Sequence, residues 1–209
     1  MPLLAYCVSL PVDIAAAKNI EEAQLKKLEI EGLRCYYSPV DDFRGDQQKT
    51  TAIALGFHRV NSALFAAVPI LPFRFPTLAS SVDDLTSQVE NQAVRLRRAL
   101  EKLGDRVQME ITISIVGESA PRSQSGTEYL RAIQARNRLL EQASEALRAA
   151  GRLALKWRQK PQEGRMRLLA LVERGFQQAF SQNLADVSLP SGVECRVVGP
   201  WPPTEFIEE

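Results

Sequence analysis

Apolar positions along the chain recur at two spacings, every second residue and every third to fourth, and the changes between them mark out the elements. Leu3 to Leu10 is an apolar run ended by Pro11, which predicts an interior strand opening a sheet. Asn19 to Ile30 admits two readings: Ile20, Ala23, Lys27 and Leu28 hint at a helix, whereas Leu28 to Ile30 and Leu33 to Ser38 alternate on either side of Glu31-Gly32. The glycine between two alternating runs favours a hairpin from Lys27 onward. Ile53, Phe57, Val60, Leu64 and Ala67 recur at helical spacing and predict a helix over Gln48 to Ala67. Val68 to Phe75 reads as a strand whose Pro69 and Pro72 lack ladder donors, which places it at an edge or a bulge. Simple alternation there puts Phe73 and Phe75 on one face and Arg74 on the other.

The best-signalled helix runs from Val82 to Leu103, with Ser81 as cap, Asp84 as capping-box acid and Leu85, Val89, Leu96, Leu100 and Leu103 as its stripe. Gly104 can close it, and Arg97, Arg98 and Lys102 oppose the negative pole of the helix dipole without needing a ligand. Val107 to Ile115 alternates without a break and predicts a strand with one wet face. Gly117 to Gln124 is a polar connection, followed by a long helix that begins at Ser125-Gly126-Thr127-Glu128 and carries Leu130, Ile133, Leu140, Ala143 and Leu147. Gly151 breaks or kinks that helix before Leu153 to Trp157. Met166 to Val172 is apolar at nearly every position, as a central strand covered on both faces would be. Phe176 to Val187 is helical in period, and Val193, Cys195 and Val197 alternate in a last strand.

The first half therefore runs strand, hairpin, helix, strand, helix, and the second strand, helix, strand, helix, strand. Helices crossing between strands and lying on one face of a small sheet predict an α+β protein of two ferredoxin-like α/β sandwich halves. The expected boundary is Gly104-Asp105, giving domains of 1–104 and 105–209. The chain closes on Gly199-Pro200-Trp201-Pro202-Pro203, where a flexible residue, an indole and three fixed rings describe a proline-rich strap docked onto the protein.

Composition narrows the function. At 209 residues, 45% apolar and 24% charged, the chain is an ordinary globular sequence, and a formal net charge of +1 supplies no global field for nucleic acid or an acidic membrane. No apolar run is long enough to span a bilayer, and Met1 to Leu10 lacks a basic flank. Cys7, Cys35 and Cys195 are odd in number and far apart, which suits free buried thiols and a reducing, cytoplasmic setting.

Reactive chemistry finds little purchase. The single histidine, His58, sits on an amphipathic helix and reads as hydrogen-bonded to a neighbouring acid or carbonyl. One histidine and no cluster of ligand spacing leave a zinc site without its protein ligands, and no phosphate-binding glycine loop occurs. Neither a cofactor nor a metal is expected. Asp41-Asp42 reads as a turn and Asp83-Asp84 as first-turn helix acids. The strongest charge run is Arg148, Arg152, Lys156, Arg158, Lys160, Arg165 and Arg167, with one acid, Glu163, among them. A solvated helix face and loop is favoured over nucleic-acid binding with Trp157 as a stacking platform. Phe73-Arg74-Phe75 lies near the histidine-bearing helix, and Arg74 could stack on Trp201 or pair with a carboxylate, tying the tail to the first half.

Four motifs in order carry a resemblance: His58-Arg59-Val60, then Ile70-Leu71-Pro72-Phe73-Arg74-Phe75, then Ser125-Gly126-Thr127-Glu128-Tyr129-Leu130, and last Gly199-Pro200-Trp201-Pro202-Pro203. Together, from Leu3 to Phe206, they resemble the gas vesicle protein family GvpF/GvpL. That family shows a His-x-x-Val helix, from which His58-Arg59-Val60 departs by one residue of spacing, leading to Leu-Pro-x-Arg-Phe-Gly, a Ser-Gly-x-Glu-Tyr-Leu helix start and a closing Gly-Pro-Trp-Pro-Pro-Tyr-x-Phe. Pro76 stands here in place of the glycine and Thr204 in place of the tyrosine. The resemblance implies a non-enzymatic accessory protein of the gas vesicle that binds the hydrophobic shell subunit and other gas vesicle accessory proteins. It also implies a role in assembly and a place as a minor wall component. Phe73, Arg74, Phe75, Trp201 and Phe206 are the candidate partner-binding residues. The alternative is a ligand-binding or regulatory α+β module with a cleft near His58 and Arg74.

Overall fold

The structure, a computed structural model, describes residues 1–11, 25–116, 126–162 and 165–207. It divides into two compact units, Met1–Asp105 with Trp201–Glu209, and Arg106–Pro200. The Trp201–Glu209 tail groups with the first unit.

The first unit is built on a sheet of strands β1 (Leu3–Ser9), β2 (Lys26–Ile30), β3 (Leu33–Pro39) and β4 (Leu71–Ala79), in the order β2-β3-β1-β4. All seven residues of β1 are buried, as an interior strand requires. The β2–β3 hairpin turns at Glu31-Gly32, both with positive φ (48° and 72°), the two-residue turn whose twist matches paired strands. Of the region left ambiguous by the sequence, residues 12–24 lie outside those described, as do the Gly117 to Gln124 connection, the Ser125 cap and Glu163.

Alternation along β1 and β3 separates two cores. Leu3, Ala5, Leu33, Cys35 and Tyr37 share a cluster with Leu85, Val89 and Leu100. On the other face, Tyr6 stacks on Phe57 and its hydroxyl meets that of Ser38 at 2.9 Å. Phe57 belongs to helix α1 (Gln47–Ala67), which also buries Val60 and Leu64. Helices therefore cover both faces of this sheet, α1 on one and α2 (Val82–Glu90) with α3 (Ala93–Leu103) on the other. The expectation that helices lie on one face is corrected for this unit.

The single helix expected over Val82 to Leu103 is also two. The Asn91 N–H donates to Ser87 and the Gln92 N–H to the Val89 carbonyl, and α3 starts afresh at Ala93 without a side-chain cap. Neither glycine nor proline stands at the break; Asn91, the C-cap of α2, is the local stop residue there.

The second unit comprises β5 (Arg106–Ile115), α4 (Gly126–Ala150), β6 (Ala154–Gln162), β7 (Arg165–Glu173), α5 (Gln177–Ala185) and β8 (Val193–Trp201, whose last residue groups with the first unit). Its sheet order is β6-β7-β5-β8, the ferredoxin-like βαββαβ arrangement. Residues 154–162 form a strand that the sequence reading left out. Lys156, Arg158 and Lys160 alternate there with Trp157 and Gln159, so charge defends an edge and the apolar signal of a strand is missing. Beside it β7 is interior and buried from Met166 to Val172 apart from a half-buried Arg167. On α4 burial begins only at Leu140, continuing through Ala143 and Leu147, while Leu130 is 61% exposed. The expected stripe is thus half as long as its periodicity suggested.

Gly151 ends α4 at a close approach. Its N–H donates to the Leu147 carbonyl at 2.8 Å, and a Cβ there would stand 2.7 Å from the Trp157 ring and 3.1 Å from Phe180. Trp157 and Phe180 lie 5.9 Å apart, so the glycine lets α4 meet both β6 and α5.

Candidate partner-binding site

Strand β4 is an edge, as its prolines implied, and it departs from regular pairing. Pro72 pairs with Cys7 and Thr77 with Ala5, so Phe73, Arg74, Phe75 and Pro76 stand opposite Tyr6 alone. Through this bulge the two-residue period is lost. Phe73 packs against the cluster of α2 and α3, whereas Phe75 stacks on Phe43 at 6.1 Å and meets Phe57 edge-on at 5.3 Å. The two phenyl rings serve opposite faces, which corrects the single shared face expected from alternation.

Arg74 is exposed, and its side chain has no hydrogen-bond, ion-pair or ring partner among the described residues. The expected tie from Arg74 to Trp201 or a carboxylate is not formed. Trp201 instead meets the ring of His58, 5.8 Å between centroids. His58 is exposed on α1 and takes this indole contact in place of the acid or carbonyl anticipated.

The tail reaches its position through Gly199, whose φ is +134° and where a Cβ would come within 2.9 Å of the Gln108 carbonyl. Only glycine suits that combination. After Pro202 and Pro203, a short 3₁₀ turn at Thr204–Phe206 carries Phe206 into the first unit, where it is 3% exposed. Phe206 also lines a trough of about 540 Å³ beside α3. The candidate residues thus fall into two groups, Phe75 and Trp201 on the α1 side and Phe73 and Phe206 on the α2–α3 side, with Arg74 apart.

Burial pushes the Cys35 thiol up to about 12, and burial with the neighbouring Cys35 raises Cys7 well above its ordinary value. Cys195 is only half-buried, where full burial was expected, and burial raises it too. Such thiols are poor nucleophiles because the thiolate is the reactive form. Asp42 is pushed down to about 2 by the Arg44 guanidinium and backbone, which donate to it at 2.9 to 3.1 Å. Asp84 accepts from the Ser80 N–H at 2.8 Å, from Gln88 and from the Ser80 hydroxyl, and these bonds lower its pKa. Among the described residues no group of three histidine, cysteine or carboxylate side chains could hold a metal ion.

The basic run is dispersed over three elements rather than one helix face and loop. Arg148 at the end of α4 lies 5.6 Å over the Trp157 ring and donates to Gln159, and Arg167 on β7 pairs with Glu110. Lys156, Arg158 and Lys160 on β6 also have partners. Trp157 is occupied by Arg148 and Phe180, which removes the stacking platform a base would use. No helix among the described residues is long and apolar enough to cross a membrane.

Two α+β units, one a complete ferredoxin-like sheet and the other the same strand order with an added helical layer, define the class of fold. The chain belongs to the gas vesicle synthesis protein GvpL/GvpF family, whose model matches residues 2–208. The fold is similar to that of the gas vesicle protein GvpF from Anabaena sp. PCC7120, with a TM-score of 0.73 and 14% identity over 100% of this chain and 96% of that one. It is equally similar to GvpF from Microcystis aeruginosa, with a TM-score of 0.73, 14% identity and coverage of 100% and 99%. No curated protein sequence matches the chain.

Proposed function

We propose that this chain is a non-enzymatic accessory protein of gas vesicle formation, acting in the cytoplasm and at the vesicle. It binds the hydrophobic shell subunit, works alongside other accessory proteins in assembly, and is retained as a minor component of the wall. Family membership over nearly the whole chain is the observation that carries this reading. A subunit that builds an apolar wall would aggregate unless its exposed surface were covered during delivery, and a chaperone-like scaffold meets that need.

The edge position of β4 supports the reading, because an edge strand can accept an extended segment of another chain. Pro72 and Pro76 remove two donors from it, which limits self-pairing while leaving a short stretch at Phe73 to Phe75. The candidate contacts are Phe73, Arg74, Phe75, Trp201 and Phe206. The alternative, a ligand-binding module at His58 and Arg74, has less support: neither residue lines the trough of about 540 Å³ or the cavity of about 320 Å³ in the second unit.

The test is association of the purified chain with shell-subunit peptides, measured by light scattering as suppression of peptide aggregation and by direct binding. Suppression at substoichiometric or equimolar chain is expected. Absence of both effects, under conditions where a general chaperone suppresses aggregation, rejects the proposal.

A further inference from the structure

Strand β8 leaves one side of its backbone unpaired. It is the last strand of the order β6-β7-β5-β8, so among the described residues nothing continues the ladder beyond it. The Val116 N–H donates to the Gly192 carbonyl at 2.8 Å, which fixes the direction of each peptide group that follows. Alternation then turns the N–H and C=O groups of Glu194 and Arg196 toward β5, and those of Cys195 and Val197 out of the free edge. The Val193 carbonyl points outward too, while its N–H is used by the Pro190 carbonyl at 3.1 Å. Past Val198 the regular edge ends, because Gly199 turns to a positive φ of 134° and Pro200 has no donor.

The side chains along this stretch read alike from either end. Val193-Glu194-Cys195-Arg196-Val197, laid antiparallel on a copy of itself about Cys195, sets valine against valine and each glutamate against an arginine. Glu194 and Arg196 are exposed, share the face opposite to Cys195 and Val197, and have no hydrogen-bond or ion-pair partner among the described residues. On the other face Val187, Leu189, Cys195 and Val197 are half-buried and line a cavity of about 320 Å³ between β8 and α5. The opposite edge of the same sheet is built differently. On β6, Lys156, Arg158 and Lys160 share one face, so antiparallel self-pairing there would set cation against cation.

We propose that this chain self-associates edge to edge through β8, a second copy pairing antiparallel about a two-fold axis at Cys195 so that the two sheets run on as one. The outward N–H and C=O of Cys195 exchange bonds with those of Cys195 of the second copy, and each Val197 N–H donates to the Val193 carbonyl across the axis, about four main-chain bonds in all. Glu194 then faces Arg196 of the second copy in the closer, non-hydrogen-bonded type of pair, about 4.5 Å between Cα atoms, where opposite charges attract. A second copy is favoured over an unrelated extended segment because the complementary charge is already present in the strand itself, as an isologous interface requires. This association goes beyond shell-subunit binding and is independent of it.

The test is sedimentation velocity on the full chain across protein concentration. A dimer with a Kd on the order of tens of micromolar is expected, since a short edge pairing buries less than a standard interface. Glu194→Arg sets arginine against arginine and Arg196→Glu sets glutamate against glutamate, so each variant alone should associate about tenfold or more weakly. Both residues are exposed, and far-UV circular dichroism should stay unchanged. An equimolar mixture of the two variants should associate again, because arginine faces glutamate at both charged pairs of the mixed dimer. The double variant Glu194→Arg/Arg196→Glu keeps the net charge and should match the original chain within about threefold. Diamide oxidation of concentrated protein should trap a disulfide-linked dimer that Cys195→Ser abolishes, since Cys7 and Cys35 are buried and facing Cα atoms about 5.5 Å apart are within disulfide reach. A chain that stays monomeric at about ten times that Kd overturns the proposal, as do single variants that associate like the original. A mixture or double variant without recovery, or no Cys195-dependent trapped dimer, overturns it as well.

Discussion

Truncating Phe206 to alanine tests whether the tail is a structural part of the first unit. The ring is 3% exposed and is delivered by a single 3₁₀ turn closed by the Phe206 N–H to Pro203 carbonyl bond at 3.0 Å. A buried phenyl side chain removes about 150 to 200 Å² from water, which at about 25 cal/mol per Å² gives an upper bound of about 4 to 5 kcal/mol. Phenylalanine-to-alanine changes in cores cost about 3 to 5 kcal/mol. The tail can settle partly into the space left, and the unfolded chain already buries some of this surface, so a loss of about 3 kcal/mol is expected. The two tryptophans allow a clean assay because Trp201 groups with the first unit and Trp157 with the second. In a Trp157→Phe background, Trp201 fluorescence in urea should show a midpoint lowered by about 1.5 M, taking a slope of about 2 kcal/mol per M. Limited proteolysis should cut the tail earlier. A loss below about 1 kcal/mol together with unchanged proteolysis would refute the argument that Phe206 anchors the tail.

Other outcomes follow from single contacts. Gly151→Ala should destabilise the second unit by about 1 to 3 kcal/mol and perturb Trp157 emission, since a Cβ would lie 2.7 Å from that ring; an unchanged melting curve counts against the close approach. Ser81→Ala should cost about 1 kcal/mol, because its hydroxyl caps α2 by accepting from the Asp84 N–H at 3.1 Å, and chemical denaturation measures it. Arg74→Ala should change stability by less than about 0.5 kcal/mol, as its exposed side chain has no partner among the described residues. Cys35 is raised to about 12, so the folded state holds its proton while the unfolded thiol ionises near roughly 8.5 to 9. Stability should therefore be intact below that range and fall as pH climbs toward about 12, by about 1.4 kcal/mol per pH unit for each such thiol. Cys35→Val should flatten this alkaline slope in denaturation midpoints measured across pH, and an unchanged slope would count against the burial argument. Asp84 has a lowered pKa, so its contribution is present above its unfolded value and lost as pH falls through the folded one; Asp84→Asn should flatten the acid limb of the same profile.

The sequence by itself determined the elements whose signal is local. Apolar Leu3 to Leu10 between a start and a proline, the glycine turn of the hairpin, the α1 stripe and unbroken alternation from Val107 to Ile115 are set by side-chain period and backbone preference. They appear where those rules place them. The four ordered motifs likewise made the family legible before any contact was known. Tertiary structure decided what period cannot encode. The break at Asn91-Gln92 has only Asn91 as a stop residue, inside a stripe from Leu85 to Leu103 whose helical period runs on across it. The edge strand β6 hides behind alternating charge, because an edge is protected by the same lysines and arginines that erase its apolar pattern. Phe73 and Phe75, two residues apart, go to opposite faces because four residues of β4 stand opposite one of β1. The partner of Trp201 was likewise fixed by the path of the tail, which brings residue 201 beside residue 58. Local preference acts within a few bonds; which surfaces remain for another protein depends on contacts between residues that only folding brings together.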